Sequence, residues 1–270
     1  MLNVLDLFSG IGGFSLGLER TRGFKTVAFC EIDEFCRSVL AKHWENIPIF
    51  EDVTTITEQQ LAELGRIDVV CGGFPCQPVS ISGLKCGEND ERWMWPEFYR
   101  IICMVKPKYV LVENVVGLLS IQSGRLFGGI LRDLAKIGYD AEWQVLSASQ
   151  FGLSHVRKRM FLVAYSHGIG LDKIPVFKNI NDKIRTGEFS AVHSCTHIDC
   201  IGRAFPEIPE HLRSSDGISE RLDRSIMGTD YHAGPTHIIQ KRIKSLGNAI
   251  VPQCAQFVGQ CIIDAEYQNL

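Results

Sequence analysis

Val4-Leu5-Asp6-Leu7-Phe8-Ser9-Gly10-Ile11-Gly12-Gly13 is the stretch whose reading decides the fold. Residues 4–8 read as a short buried strand carrying one acid, Asp6, and the strand runs straight into a glycine loop ahead of an amphipathic stretch at 14–20. Strand, glycine loop and helix in that order let a bound cofactor approach the backbone closely at the head of the helix. The spacing Phe8-x-Gly10-x-Gly12-Gly13 puts Ser15 where the dinucleotide fingerprint has its third spaced glycine, which turns the reading from NAD towards S-adenosylmethionine. Outward from this unit the alternation repeats. Strands are predicted at 26–30, 67–71, 109–112, 139–146 and 160–164, with helical stretches at 34–43, around Leu61, and at 96–105 and 126–137. That is the pattern of a doubly wound α/β domain.

Two further strand ends carry chemistry. Residues 67–71 feed Gly72-Gly73-Phe74-Pro75-Cys76-Gln77-Pro78, where a thiol leaves a buried strand inside a glycine-rich, proline-bounded loop. A lone cysteine is ordinarily a small buried hydrophobe. Cys76 has companions: the Asp6 to Gly13 junction upstream, and downstream Val110-Leu111-Val112-Glu113-Asn114-Val115, which ends an apolar strand on a carboxylate. Ligands and catalytic groups gather at such strand ends in an open α/β sheet. Glu31, at the end of the second strand, is placed to accept hydrogen bonds from ribose hydroxyls.

With 270 residues and 45% hydrophobic content the chain buries a full core, either one large domain or a large one with a small satellite. Ten cysteines and no basic, apolar leader predict reduced thiols in a cytoplasmic protein. No run approaches the roughly 20 apolar residues of a membrane span. The net charge of −3 does not advertise nucleic-acid binding. Local clusters do: Arg157-Lys158-Arg159, Arg221 with Arg224, and Lys241-Arg242 with Lys244, although each alone equally describes a solvated face.

Three regions follow. Residues 1–165 are read as a catalytic and cofactor-binding domain, 166–240 as a small, irregular target-recognition region, and 241–270, with a helix at 253–266, as a segment returning to the first domain. The middle region is rich in Ser, Gly, His, Asp and Pro, and its hydrophobic periodicity is broken up to Ile239. Inside it, His193-Ser194-Cys195-Thr196-His197-Ile198-Asp199-Cys200 crowds four possible metal ligands into eight positions. The spacing fits no common zinc site, so we read coincidental clustering and expect no metal.

Taken together these pieces resemble the cytosine-5 DNA methyltransferase family, across most of the chain except the middle of 167–240. The matching runs are Asp6 to Gly13, Glu31-Ile32-Asp33, Asp52, Gly73 to Gln77, Ser80-Ile81-Ser82-Gly83, Glu113-Asn114-Val115, Arg157-x-Arg159 and Gly247-Asn248-Ala249, in the family's order. The resemblance implies a Rossmann-like S-adenosylmethionine-dependent fold with a small recognition domain. It implies a cofactor pocket of Phe8, Gly10, Gly12, Glu31, Ile32, Asp52, Pro75 and Asn248, with Glu31 on the ribose and Asp52 on the adenine amino group. It makes Cys76 the nucleophile, Glu113 the group that engages the cytosine, and Arg157 and Arg159 cationic supports. Residues 79–95 look like the mobile loop that closes over DNA, with Ser80, Ser82 and Arg92 as DNA contacts beside Arg221, Arg224, Lys241 and Arg242. The chain departs from the pattern at His155, where a glutamine is usual, and at Trp95, where a leucine is common beside the cofactor. The arginine-rich motif that scaffolds recognition is not located; Asp216 to Arg224 is the best candidate.

Those residue types suit the reaction. Carbon 5 of cytosine is a poor nucleophile, and addition of a thiolate at carbon 6 makes it enamine-like. An acid with a raised pKa then stabilises charge at ring nitrogen 3 while fixed cations favour the thiolate. Carbon 6 is inaccessible in a stacked duplex, so the base must be flipped out. The expectation is therefore a monomeric enzyme acting on double-stranded DNA with S-adenosylmethionine, with a cognate restriction endonuclease as a candidate partner and independent of membranes. The same chemistry on transfer RNA, or a catalytically silent DNA-binding relative, are the competing readings. The target sequence depends on a few side chains in the irregular region.

Overall fold

The fold was obtained as a computed structural model, which describes residues 1–75, 93–167, 176–177 and 235–268. Among them, one mixed sheet is built from β1 (Leu2–Leu7), β2 (Phe24–Cys30), β3 (Ile49–Phe50), β4 (Val69–Gly72), β5 (Tyr109–Val115), β6 (Tyr139–Ser147) and β7 (Lys158–Ser166). The strand order is β3-β2-β1-β4-β5-β7-β6. β1 to β5 are parallel, and β7 runs antiparallel to both β5 and β6. Only a short 3₁₀ turn, Ala148–Phe151, and a brief loop separate β6 from β7. No crossover helix fits in that length, so β7 can only return antiparallel.

Strict alternation along the central strands divides the core into two faces. Leu5, Leu7, Val70, Val110 and Val112 point to one face, covered by α3 (Glu58–Glu63), α4 (Trp95–Val105) and α5 (Arg125–Lys136). Val4, Val69, Cys71, Tyr109 and Leu111 point to the other, covered by α1 (Gly13–Arg20) and by the last described helix, α7 (Pro252–Gln268). Both faces are therefore buried, as a parallel sheet requires. α1 lies on α7 without a spacer: a β-carbon at Gly17 would fall 2.6 Å from that of Ala255 and 2.9 Å from the Gln256 nitrogen. At the sheet's edge α2 (Glu34–His43) shares a small apolar cluster, including Ile11, Cys36 and Val39, with Leu246 and Ala249 at the end of α6 (Pro235–Asn248).

Two expectations need correction. Order resumes inside the stretch read as irregular, before 241, because α6 begins at Pro235. Proline is favoured in a first helical turn, and Ile239, Ile243 and Leu246 fall at helical spacing. The stretch read as a closing loop also ends too late. Trp93 and Trp95 are 8% and 4% exposed, and both rings pack against Phe74 at centroid distances of 5.5 and 5.7 Å. The remainder of that stretch, 79–92, lies outside the described residues together with 76–78, as does nearly all of 168–234. No helix among the described residues is long and apolar enough to cross a membrane.

Candidate active site

The strand order reverses around β1, which has β2 on one side and β4 on the other, and a crevice opens there at the carboxyl ends of the strands. It forms a cavity of about 680 Å³, within the usual range for small-ligand sites. Every expected cofactor residue except Gly12 lines it, together with Glu113, Arg157 and Arg159.

The first wall is the glycine loop. Phe8 and Gly10 adopt positive φ, 53° and 54°, and turn the chain sharply off β1. Gly12, also at positive φ (83°), stands behind the wall, where the indole of Trp44 lies 2.6 Å from any β-carbon it would carry. The loop is braced from below by Asp6, 1% exposed, whose Oδ2 accepts from the Ser15 hydroxyl at 2.7 Å and the Ser15 amide at 3.3 Å. Burial pushes the Asp6 carboxyl up to about 7, against those hydrogen bonds. From above, Glu31 closes the loop: its carboxylate accepts from the Gly10 amide at 2.6 Å and from the Asp33 amide at 2.8 Å. Burial raises the Glu31 pKa while the two amides lower it. Beyond it Ile32 is 76% exposed on the rim, and Asp52 caps a 3₁₀ turn through one oxygen, accepting from Thr54.

The opposite wall is built on β4, β5 and β7. Glu113, 7% exposed, lies two residues before the end of β5 with its Oε1 at 2.9 Å from the Arg159 Nε on β7. The antiparallel register, which pairs Val115 with Arg159, brings these two side chains together. Burial pushes the Glu113 carboxyl up to about 7, and the guanidinium groups of Arg159 and Arg157 oppose it. Gly73 makes room for this carboxylate, since a β-carbon there would come within 2.9 Å of Oε2. Asn114 donates to the Phe74 carbonyl at 3.1 Å and so pins the loop that leads to Pro75. Cys76 follows directly in sequence and lies outside the described residues.

Ser80, Ser82, Arg92, Arg221 and Arg224 also fall outside them, as do Asp216 and the crowded histidines and cysteines of 193–200. Lys241 is exposed on α6, whereas Arg242 is 8% exposed. Trp95 is not part of the cavity lining; its neighbour Met94 is. Lining residues absent from the sequence-based set include Lys244 and Ser245, which share a helical face with Asn248. Their signal was the three-residue spacing of Ser245 and Asn248, visible only once α6 is recognised as a helix. Asn114 belonged to a matching run but had no assigned role. No group of three or more metal-ligating side chains occurs among the described residues.

This architecture is that of the Rossmann-like methyltransferases. A crystal structure described as a DNA modification methyltransferase encoded within a prophage, from E. coli, superposes with a TM-score of 0.66 at 16% identity, over 98% of this chain and 99% of that one. Entamoeba histolytica EhMeth gives 0.65 at 20% identity, over 99% and 98%. At these identities the likeness is one of fold. The sequence goes further: residues 2–211 match the family model of C-5 cytosine-specific DNA methylases, and the chain belongs to that family. It is 33% identical over 175 residues to the type II methyltransferase M1.HphI of Haemophilus parahaemolyticus, covering 62% of this chain and 46% of that protein. With M.NgoBI of Neisseria gonorrhoeae it shares 36% identity over 170 residues, 63% and 52% of the two chains. The chain thus spans about half the length of these curated relatives.

Proposed function

We propose that this protein transfers a methyl group from S-adenosylmethionine to carbon 5 of a flipped-out cytosine in duplex DNA. The observation that carries the reading is the juxtaposition, in one cavity, of a glycine loop closed by Glu31 with a buried Glu113 held at 2.9 Å by Arg159. The residues fit the cofactor. The Glu31 carboxylate, fixed by two amides, keeps lone pairs for a pair of ribose hydroxyls. The exposed Ile32 offers an apolar face to a flat ring, and the Asp52 oxygen that Thr54 does not use suits an amino group. When bound, S-adenosylmethionine supplies the electrophilic methyl group.

The chain's own residues do the rest. Cys76 adds through its thiolate to carbon 6, and Glu113, whose carboxyl burial pushes up to about 7, donates to ring nitrogen 3 as charge builds there. Arg159 aligns that carboxyl and supplies positive charge beside the base. Loss of the carbon 5 proton and elimination of the thiolate regenerate the enzyme. Type II relatives support a setting in which a cognate restriction endonuclease recognises the same DNA, and residues 166–240 are proposed to choose the sequence.

The test is covalent trapping. Wild-type protein incubated with S-adenosylmethionine and duplex DNA carrying 5-fluorocytosine should give an adduct stable to denaturation, and Cys76→Ala should give none. The Cys76→Ala variant should still bind the cofactor. Methylation of unmodified duplex by that variant would sink the thiolate pathway, and methylation of transfer RNA but not DNA by the wild type would move the substrate assignment.

A further inference from the structure

Arg157 and Arg159 enter the cavity from the same segment but serve different walls. Arg159 meets Glu113, whereas the Arg157 Nη1 donates to the Gly247 carbonyl at 2.6 Å, across 90 residues of sequence. Gly247 is the penultimate residue of α6, among the last four carbonyls that have no partner within their own helix. A guanidinium there both satisfies the oxygen and complements the negative end of the helix dipole. The next residue, Asn248, lines the cavity. Immediately beyond it the chain is gripped a second time: the Ile250 and Pro252 carbonyls abut Gly13 and Gly17 of α1, where no β-carbon fits. Asn248 therefore sits between two fixed points, and Arg157 is the one supplied by the wall that holds Glu113.

We propose that Arg157 is a positioning residue for the cofactor, setting the Gly247–Asn248 corner so that Asn248 faces the bound S-adenosylmethionine, and that it ties this corner to the base-binding wall. This rests on the reading of the cavity as a S-adenosylmethionine site. It gives the paired arginines different principal contacts: Arg159 meets Glu113 directly, while Arg157, whose charge also bears on Glu113, holds the Gly247–Asn248 corner and through it cofactor affinity. A planar fork suits the carbonyl contact better than a lysine ammonium does.

Calorimetric titration with S-adenosylmethionine and with S-adenosylhomocysteine, in the absence of DNA, tests it. Arg157→Met keeps the packing of the stem and removes the donors. It should weaken binding about tenfold or more, equivalent to ~1.4 kcal/mol, and Arg157→Lys should fall between it and the wild type. Arg159→Ala should stay within about twofold of the wild type while losing turnover, a loss in the range typical of an acid–base group. In steady state Arg157→Met should raise KM for the cofactor more than it lowers kcat. Wild-type cofactor affinity in Arg157→Met, or an equal loss in Arg159→Ala, overturns the assignment. The outcome is distinct from failure of the proposed reaction, which would show as wild-type protein that binds the cofactor and methylates no cytosine.

Discussion

Glu113 lives under two opposed pressures, and their balance is measurable. Desolvation favours its neutral form and the two arginines favour the carboxylate, with a net rise from 4.5 to about 7. The sign follows for both stability and rate. Between about 4.5 and about 7 the folded state binds more protons at this position than the unfolded chain does, so the group's contribution to stability falls as pH rises through that window. For catalysis the protonated form is the donor, so kcat/KM for DNA should decline above about pH 7 as the free enzyme's Glu113 ionises. Glu113→Gln retains the shape, cannot ionise, and should lose on the order of 10²- to 10⁴-fold in rate together with that alkaline limb. A pH–rate profile of the glutamine variant that keeps the limb would assign it to another group. Gly73 belongs to the same account, because only a residue without a β-carbon leaves the carboxylate where Arg159 reaches it.

Among the elements, the contact of α1 with α7 sets packing directly against intrinsic helix propensity. Gly17 and Gly129 are both interior helical glycines, and propensity alone gives each about 1 kcal/mol of gain on substitution by alanine. Their surroundings differ. A β-carbon at Gly129 of α5 meets nothing within 4 Å, whereas one at Gly17 runs into Ala255 and the backbone of α7. Gly129→Ala should therefore stabilise by roughly 0.5–1 kcal/mol. Gly17→Ala should destabilise by about 1–3 kcal/mol through overpacking. Urea unfolding of the two variants reads the signs directly. A stabilised Gly17→Ala would mean that the two helices part easily, and the second anchor of the Asn248 corner would then be weak.

At the scale of the whole molecule, the half that holds the glycine loop was readable because its elements follow one another in sequence and each strand carries a marked residue at or beside its carboxyl end: Phe8, Glu31, Gly73, Glu113. What was hidden depends on distance. The place of β7 between β5 and β6 is a matter of pairing, and the bond from Arg157 to Gly247 leaves no local pattern in either segment. The start of α6 was lost because the polar texture before it ran on into its first turn. The return of the C-terminal segment was legible as a helix of fitting length, but not the sheet face it covers. α7 inserts Phe257, Val258, Cys261 and Ile262, each at most 1% exposed, against the face formed by Val4, Val69 and Leu111. At about 1.5–3 kcal/mol for each large apolar side chain withdrawn from water, these residues together approach the entire stability of an ordinary domain. Ending the chain at Val251 should thus abolish cooperative urea unfolding and cofactor binding alike. Phe257→Ala in the full chain should cost about 3–5 kcal/mol and still fold if the starting stability exceeds that. If the chain ending at Val251 unfolded cooperatively at the full-length midpoint, α7 would be an accessory, and the sheet face beneath it would have to be covered from elsewhere. The Phe257 variant distinguishes these cases, because an accessory helix would lose little when its largest buried side chain is removed.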